Sequence, residues 1–256
     1  MNPKVIYQNL GRISYHEAWD YQSELQKQLI DKKLAARKLE TTATNELSGA
    51  KTSVSGDSLP PKPFFEQTHY LLFCEHNPVY TLGKSGSMDH LLLDEIGLAE
   101  KGIEFFKINR GGDITYHGPG QITGYPIFDL DFFFTDVHKY VRYLEETIIR
   151  TLADYGLTGM RIKEFTGVWL EGDANKPKRK ICAIGVHLSR WVTLHGFAFN
   201  VNTDLNYFKN IIPCGIEDED KTVTSLAVEL GRQIDVEEVK DKLKGHFAQL
   251  FGFEFV

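Results

Sequence analysis

Three short apolar runs in the second half of the chain constrain its fold most strongly. They read GVWLEG, KICAIGVHLSR and VTLHGFAFNV, at residues 167–172, 180–190 and 192–201. Polar segments separate them, and this pattern is typical of neighbouring antiparallel strands. The turn between the last two runs is so short that we expect the strand carrying Lys180 to pair directly with the strand carrying His195.

Amphipathic helices are predicted before and after these strands in the sequence. The apolar stripes are Ala18, Tyr21, Leu25 and Leu29 in residues 16–39; Val137, Tyr140, Val141, Leu144, Ile148 and Leu152 in residues 135–156; and Val236, Val239, Leu243, Phe247 and Leu250 in residues 235–252. Asp235 and Glu238 stand at capping-box spacing at the start of the last segment. Residues 68–75 and 103–109 look like strands, and a helical segment is expected between them at 88–102. The mixture predicts a single α+β domain over residues 1–256.

Residues 41–63 interrupt this pattern. They are polar, rich in Ser and Thr, and closed by three prolines, Pro60, Pro61 and Pro63. Such a segment buries too little apolar surface to order itself as part of a core. We therefore expect a flexible insertion here.

Charge, hydropathy and cysteine usage exclude several classes of protein. The formal net charge of −6 argues against general nucleic-acid binding, and any contact with an acidic partner must use a local basic patch, for which residues 176–180 are a candidate. No signal peptide and no membrane-spanning segment is recognised, which makes the cytoplasm the expected compartment. The three cysteines are too scattered for a disulfide framework and lack zinc-ligand spacing, so no metal site is expected.

The sequence RGGDITYHGPGQ, residues 110–121, is a glycine-rich loop between two strand-like runs. Loops of this kind often bind ligands, but neither the P-loop nor the dinucleotide-binding spacing is present. The glycines could equally serve only to supply positive φ angles in successive turns. His117 is similarly open to two interpretations, a structural hydrogen-bonding group or a catalyst.

The contexts of the three cysteines differ. Cys74 and Cys182 lie in apolar strand-like runs, where a thiol usually packs as a small hydrophobic group. Cys214 stands between a proline and a glycine in NIIPCGIED, so it is either a nucleophile facing a cleft or a turn residue with no chemical role. A nucleophilic thiol needs a partner that handles its proton, and Lys180 is a candidate. Its apolar strand would draw the ammonium partly out of water, although a lysine at the end of a strand is more commonly solvated.

Four sequence blocks together resemble the octanoyltransferases of lipoate biosynthesis. They are RGGDITYHGPGQITGYPIFDL, KICAIGV, HGFAFNV and IIPCGI, and they occur in the order and spacing of that family. The similarity extends from HNPVYTLGKSG, at residue 76, to PCGI, and the combination is far more specific than any single block. It implies the biotin/lipoate protein ligase fold, with a mixed, largely antiparallel sheet flanked by helices.

The resemblance also implies roles for individual residues. Cys214 matches the cysteine that accepts the acyl group, and Lys180 matches the lysine that tunes this thiol. The implied substrate-binding residues are Arg110, Gly111, Gly112, Asp113, Ile114, Thr115, Tyr116 and His117 in the first segment, Ala183, Ile184 and Gly185 in the second, and Gly196, Phe197 and Ala198 in the third. The loop at 110–117 would then form a wall of an acyl tunnel. Two features depart from the family pattern: the insertion at 41–63, and Cys182, which stands where a different small residue is expected.

In that family an octanoyl group passes from octanoyl-acyl carrier protein to the cysteine, and then to a lysine of a lipoyl domain. The acceptors are lipoyl domains of 2-oxoacid dehydrogenase E2 subunits and the glycine cleavage H protein. The resemblance implies a monomer that needs no cofactor, and no nucleic-acid or membrane partner. Two related activities stay open: an amidotransferase that takes its acyl group from another lipoyl domain, and an ATP-dependent lipoate-protein ligase. A catalytically silent acyl- or lipoyl-domain-binding protein is a further alternative, disfavoured by the presence of both Cys214 and Lys180.

Overall fold

The computed structural model describes residues 2–47, 65–173, 176–213 and 221–256. In chain order the elements are β1 (Lys4–Ile13), α1 (Tyr15–Leu47), β2 (Thr68–His76), β3 (Val79–Leu82), α2 (Glu95–Glu100), β4 (Glu104–Lys107), β5 (Ile114–His117), β6 (Gln121–Ile127), α3 (Val137–Ala153), β7 (Gly159–Ile162), β8 (Phe165–Leu170), β9 (Lys178–Ser189), β10 (Val192–Asn200), β11 (Lys221–Val223), α4 (Leu226–Leu230), α5 (Val236–Phe251) and β12 (Glu254–Phe255). Short 3-10 turns lie at Met88–His90, Leu130–Phe132 and Leu205–Asn210.

Nine strands of the described chain form one mixed, largely antiparallel sheet. Eight of them follow the order β12-β1-β2-β6-β10-β9-β8-β7, and β11 pairs in parallel with the start of β9. β9 and β10 are antiparallel neighbours, with His195 opposite Val186 and Phe197 opposite Ile184. β8 pairs with the beginning of β9, where Trp169 lies opposite Lys180. The predicted pairing of the strands that carry Lys180 and His195 is confirmed.

A smaller sheet, in the order β4-β3-β5, corrects the interpretation of the glycine-rich loop. The loop is not an irregular connection at one sheet edge: Ile114–His117 form β5, antiparallel to β3, and the chain passes from the small sheet to the large one. The side chains of this strand alternate between its two sides. Ile114 and Tyr116 belong to an apolar cluster with Tyr80 of β3, whereas Thr115 and His117 face the other way.

Helices cover both faces of the large sheet. α1 places Ala18, Leu25 and Leu29 against one face, as its apolar stripe predicts. α3 and α5 cover the other face, and this layer contains the larger cluster of buried side chains, including Tyr140, Leu144, Ile148, Leu152, Val239, Leu243 and Phe247. Asp136 and Asp235 cap α3 and α5 by accepting backbone N–H bonds, and Gly252, at φ 68°, ends α5. The layered α+β architecture expected from the sequence is confirmed.

Three local predictions need correction. Val137 is 37% exposed, because it is the first residue after the cap of α3 and lies outside the buried stripe. α1 continues to Leu47, so residues 41–47 of the expected insertion are helical, while 48–63 lie outside the described residues. Residues 88–102 are not one helix, because Leu91 forms a β-bridge with Ile211 between the turn at Met88–His90 and α2. No helix in the described ranges is both long enough and apolar enough to cross a bilayer.

Candidate active site

A cavity of about 380 Å³ lies between the glycine-rich loop, β5 and the strands β6, β9 and β10. Most of the residues predicted to bind substrate line it, namely Arg110, Gly111, Gly112, Asp113, Ile114, Thr115, His117, Ala183, Ile184, Gly185, Gly196, Phe197 and Ala198. Lys180 lines the same cavity. The three segments, which are separate in sequence, therefore meet around one space.

Tyr116 is the predicted site residue that does not line this cavity. Its ring points to the opposite side of β5 and stacks on Tyr207, with ring centroids 4.7 Å apart and an interplanar angle of 6°. Phe208 contacts the same ring edge-on. The strand periodicity of two separates Tyr116 from its neighbours Thr115 and His117, and its ring packs against the 205–210 turn.

Arg110 and the glycines around it form a tightly packed junction. The guanidinium donates to the carbonyl and hydroxyl oxygens of Thr81, at 2.7 and 3.0 Å, and to the carbonyl of Gly111 at 3.0 Å. A Cβ on Gly185 would lie 2.7 Å from the carbonyl oxygen of Gly111 and 3.0 Å from Cδ of Arg110. Gly112 has a φ of 88°, a conformation that favours glycine. Glycine therefore serves first to let backbone segments approach one another, and the cavity wall results from that packing.

His117 is buried and fully engaged in hydrogen bonds. Its Nδ1 donates to Oε1 of Gln121 at 2.9 Å, and its Nε2 lies 3.3 Å from the hydroxyl of Thr81. Nε2 of Gln121 in turn donates to Asn200 Oδ1 at 2.9 Å. Burial, followed by the charges of nearby groups, holds the pKa of His117 well below its ordinary value. A neutral, bonded imidazole favours the structural interpretation of this residue.

Lys180 is buried in the way the apolar strand predicted. It is 8% exposed, and its Nζ lies 4.6 Å from the centroid of the Trp169 ring on the neighbouring strand. The Lys180 carbonyl accepts the N–H of Thr224, so β11 fixes the backbone on the other side of β9. A cation over an indole face in a partly desolvated site is held more firmly than one at the surface.

Cys214 lies outside the described residues, but the segment that leads to it is well placed. The N–H of Ile212 donates to the carbonyl of His90 at 2.8 Å, and the N–H of Leu92 donates to the carbonyl of Asn210 at 2.9 Å. Pro213, the residue before Cys214, lines the cavity together with Lys180. The chain therefore delivers the segment before the predicted nucleophile to the wall that contains the predicted lysine.

The other two cysteines pack in the core, as their strand contexts predict. Both are fully buried, and burial raises the pKa of each thiol. The Cys182 thiol donates to the carbonyl of Ala183 at 3.5 Å and does not line the cavity. Neither thiol has the environment of a nucleophile.

The structure also adds cavity residues that the sequence interpretation did not name: Tyr15, Gln121, Thr123, Tyr125, Val141, Glu164, Thr166, Val186, His195, Asn200, Phe208, Pro213 and Val223. A signal existed for some of them, because Gln121 lies inside the first family block, and His195 and Asn200 are the polar residues of the otherwise apolar block HGFAFNV. Tyr15 and Val141 carry no local signal, since only helix packing brings them to the cavity.

Comparison with known proteins places this geometry in a family. Residues 62–248 match the family model described as the lipoyl protein ligase A/B catalytic domain. The chain belongs to this family. It is 51% identical to an octanoyltransferase of Cytophaga hutchinsonii over 98% of this chain and 93% of that protein, and 53% identical to an octanoyltransferase of Flavobacterium johnsoniae over 100% of both.

Solved structures confirm the family fold. A bi-partite lipoate protein ligase from Thermoplasma acidophilum superposes with a TM-score of 0.63 at 16% identity, covering 100% of this chain and 86% of that one. A second chain, described as a putative lipoate protein ligase from T. acidophilum, gives a TM-score of 0.62 at 15% identity, covering 100% and 88%. At these identities the likeness concerns the fold alone, and it confirms the predicted α+β class.

Proposed function

We propose that this protein transfers an octanoyl group from octanoyl-acyl carrier protein, through a thioester on Cys214, to a lysine of a lipoyl domain. The observation that carries the proposal is the single cavity of about 380 Å³ that Lys180 and Pro213 line together with the predicted acyl-binding segments. The octanoyltransferase relatives support the choice of acyl group. The proposed acceptors are lipoyl domains of 2-oxoacid dehydrogenase E2 subunits and the glycine cleavage H protein, and the proposed compartment is the cytoplasm.

The first step is a thioester exchange. The Cys214 thiolate attacks the carbonyl carbon of the donor thioester, a new carbon–sulfur bond forms, and the bond to the phosphopantetheine sulfur breaks. That sulfur leaves as a thiolate and takes up a proton. Because one thioester replaces another, the step needs no separate activation of the acid and no ATP.

The second step forms an amide. The neutral ε-amine of the acceptor lysine attacks the carbonyl carbon of the Cys214 thioester, the carbon–sulfur bond breaks, and the amine loses a proton as the amide forms. An amide is more stable than a thioester, so this step makes the overall transfer favourable.

Lys180 is proposed to serve both steps. Its ammonium, held over Trp169 in a nearly buried position, favours the thiolate form of Cys214 and supplies the proton that the departing phosphopantetheine thiolate takes up. The resulting neutral amine then accepts the proton that the attacking lysine releases.

Intact mass spectrometry tests the proposal. The purified protein is incubated with octanoyl-acyl carrier protein in the absence of ATP, and an octanoyl adduct is expected on Cys214. Cys214→Ala should form no adduct, whereas Cys182→Ser, which alters a buried thiol outside the cavity, should retain it. If the adduct forms from an octanoylated lipoyl domain but not from the carrier protein, the enzyme is the amidotransferase. If transfer from free octanoate requires ATP and proceeds in Cys214→Ala, the enzyme is a ligase.

A further inference from the structure

Residues 83–92 cross from the glycine-rich loop to the segment that precedes Cys214, and we call them the linking segment. At its start, three successive backbone N–H groups, those of residues 83–85, donate to carbonyl oxygens of the glycine-rich loop at 2.9 to 3.2 Å. At its end, Leu91 forms an antiparallel bridge with Ile211. The linking segment therefore joins the cavity wall to the chain just before the proposed nucleophile.

His90 is the residue of the linking segment that contacts both sides. Its Nδ1 donates to Oδ2 of Asp113, a residue that lines the cavity. Nδ1 is the protonated nitrogen in this contact, because carboxylate oxygens accept hydrogen bonds. The carbonyl oxygen of His90 accepts the N–H of Ile212 at 2.8 Å. One residue thus connects a side chain of the cavity wall to the backbone of the segment before Cys214.

Asp113 is held firmly enough to anchor this contact. Its Oδ1 accepts the N–H of Ile114, the first residue of β5, at 2.7 Å, and its carbonyl oxygen accepts the N–H of Gly83 at 3.2 Å. The Asp113 side chain is 9% exposed, whereas that of His90 is 25% exposed. The more mobile imidazole is therefore fixed by a carboxylate that belongs to the beginning of β5, a strand of the cavity wall.

The bond from Ile212 to His90 is the last hydrogen bond before Cys214 in the described part of the chain. Cys214 is two residues further on, and two extended residues span at most about 7 Å. The earlier part of the same segment is held separately, because the Tyr80 hydroxyl donates to the carbonyl of Tyr207 at 2.6 Å. A shift of His90 would therefore move the last fixed residue before the proposed nucleophile.

We propose that His90 is a positioning residue for the transfer: through its bond to Asp113, it sets the place of Cys214 relative to the acyl-binding wall. Attack on the donor thioester requires the sulfur and the carbonyl carbon to lie about 3–3.5 Å apart, and a misplacement of about 1 Å can slow such a step about a hundredfold. The inference rests on the proposed thioester on Cys214 and adds the contact that aligns this residue with its substrate. It assigns no proton transfer to His90.

The test compares two reactions of Cys214 in His90→Leu. Acylation by octanoyl-acyl carrier protein, followed in a single turnover by rapid quenching and intact mass spectrometry, requires alignment with an acyl chain in the cavity. Alkylation by iodoacetamide, a small reagent, requires only an accessible thiolate. We expect acylation to slow by about tenfold to a hundredfold, while the alkylation rate and its pH profile stay within about twofold. The loss should appear in kcat more than in the KM for the carrier protein.

Three further variants isolate the bond itself. In His90→Asn the side-chain N–H₂ can donate to Asp113 from close to the position of Nδ1, so acylation should stay within about threefold of the wild type. In an Asp113→Ala background the bond is already absent, so His90→Leu should slow acylation further by no more than about twofold. Asp89→Ala removes an exposed carboxylate from the same turn and leaves the bond in place, and it should acylate like the wild type.

Several results would overturn the proposal. Acylation of His90→Leu at the wild-type rate is one, and an undiminished effect of His90→Leu in the Asp113→Ala background is another. Equal slowing of acylation and alkylation would show that His90 activates the thiol rather than placing it. Equally slow acylation in the asparagine and leucine variants, or in Asp89→Ala, would show that the bond to Asp113 is not the cause.

Folding and the proposed function are checked separately. Circular dichroism verifies that each variant folds, and if His90→Leu does not, His90→Ala removes the same bond and the same results are expected. Failure of the wild-type protein to acquire an octanoyl group would refute the proposed transfer. Normal acylation of the wild type, with no difference between it and the His90 variants, would refute only the positioning role.

Discussion

The ammonium of Lys180 lies 4.6 Å from the centre of the Trp169 ring, on the strand next to its own. Trp169 is fully buried, so the indole face both supports the lysine side chain and replaces part of the water that would surround its charge. Trp169 belongs to the core of the sheet and Lys180 lines the cavity, so packing in the core positions the amine that is proposed to take part in the reaction.

Lys180→Ala is expected to lower octanoyl transfer by more than about a hundredfold. An unperturbed cysteine with a pKa of ~8.5 is about a tenth or less thiolate at neutral pH, so loss of thiolate alone accounts for about tenfold to thirtyfold. The rest of the expected hundredfold loss reflects the proton transfer that Lys180 no longer performs. Raising the pH should restore alkylation of Cys214 by iodoacetamide but not transfer.

Lys180→Arg provides the matched control for that prediction. Arginine keeps a positive charge near the thiol but does not deprotonate in proteins, so it should preserve much of the alkylation rate while transfer stays low. If high pH rescues alkylation and transfer equally in Lys180→Ala, the lysine sets only the thiolate population, and the proton-transfer role is wrong.

Trp169→Leu should weaken transfer by about fivefold to thirtyfold, because the cation loses an attraction of about 1–2 kcal/mol in a partly desolvated site. The loss should appear mainly in kcat, since the indole contacts the lysine rather than the substrate. Trp169→Phe keeps an aromatic face and should lose less. Steady-state kinetics of the two variants, with circular dichroism to verify folding, check the expectation; equal losses in both would point to packing instead.

Gly185→Ala is expected to destabilise the fold by about 1–3 kcal/mol and to impair transfer, because its Cβ would meet the carbonyl oxygen of Gly111 at 2.7 Å. Gly111→Ala is the matched control for stability: its nearest neighbour would be the Val186 carbonyl oxygen at 3.6 Å, an ordinary contact. Urea denaturation of the two variants distinguishes them. Equal stability of both would show that the loop tolerates displacement from β9.

Four buried histidines make stability dependent on pH. Burial is the main cause that lowers the pKa of His69 and His195 to about 3, lowers that of His76 to about 4, and holds that of His117 well below its ordinary value. Between pH 6.5 and about 4 the unfolded chain binds these protons and the native protein does not. The free energy of unfolding should therefore fall as the pH falls through this range.

Each of these imidazoles contributes up to about 1.4 kcal/mol per pH unit within its window. Urea unfolding at pH 7, 6 and 5 measures the slope. Replacing one of these histidines, as in His76→Gln, should make the slope of the free energy of unfolding against pH shallower, whatever the substitution does to stability at pH 7. A stability that stays constant from pH 7 to 5 would contradict neutral burial of these side chains.

The basic run at residues 176–180 divides into two kinds of residue. Nε of Arg179 donates to Glu229 at 2.8 Å, and both side chains are largely buried, so Arg179→Ala should cost about 2–4 kcal/mol of stability by leaving the carboxylate unpaired.

Lys176 and Lys178 lie nearer the solvent. Neutralising these two should raise the KM for the proposed carrier-protein donor, which the family resemblance implies is acidic, and should weaken the salt dependence of that KM. Unchanged kinetics at low salt would exclude this patch from docking.

The sequence alone determined the features that depend on local periodicity. The alternating runs of β8, β9 and β10, the turn between the last two, and the apolar stripes of α1, α3 and α5 each follow from a repeat of two or about 3.6 residues. The order of four motif blocks was enough to indicate the family, and most residues of the first three blocks that it assigned to substrate binding do meet at one cavity.

Tertiary structure decided the rest, because the deciding contacts join residues that are far apart in sequence. β5 is a strand because β3 pairs with it, although the surrounding glycines indicate turns, and this pairing turns Tyr116 away from the cavity towards Tyr207. Arg179 is an ion-pair partner because Glu229, fifty positions later, packs beside it. His195 becomes a buried acceptor only when Asn109 binds its other nitrogen. Periodicity shows which face of an element is buried, whereas the identity of the neighbour on that face depends on how all the elements pack together.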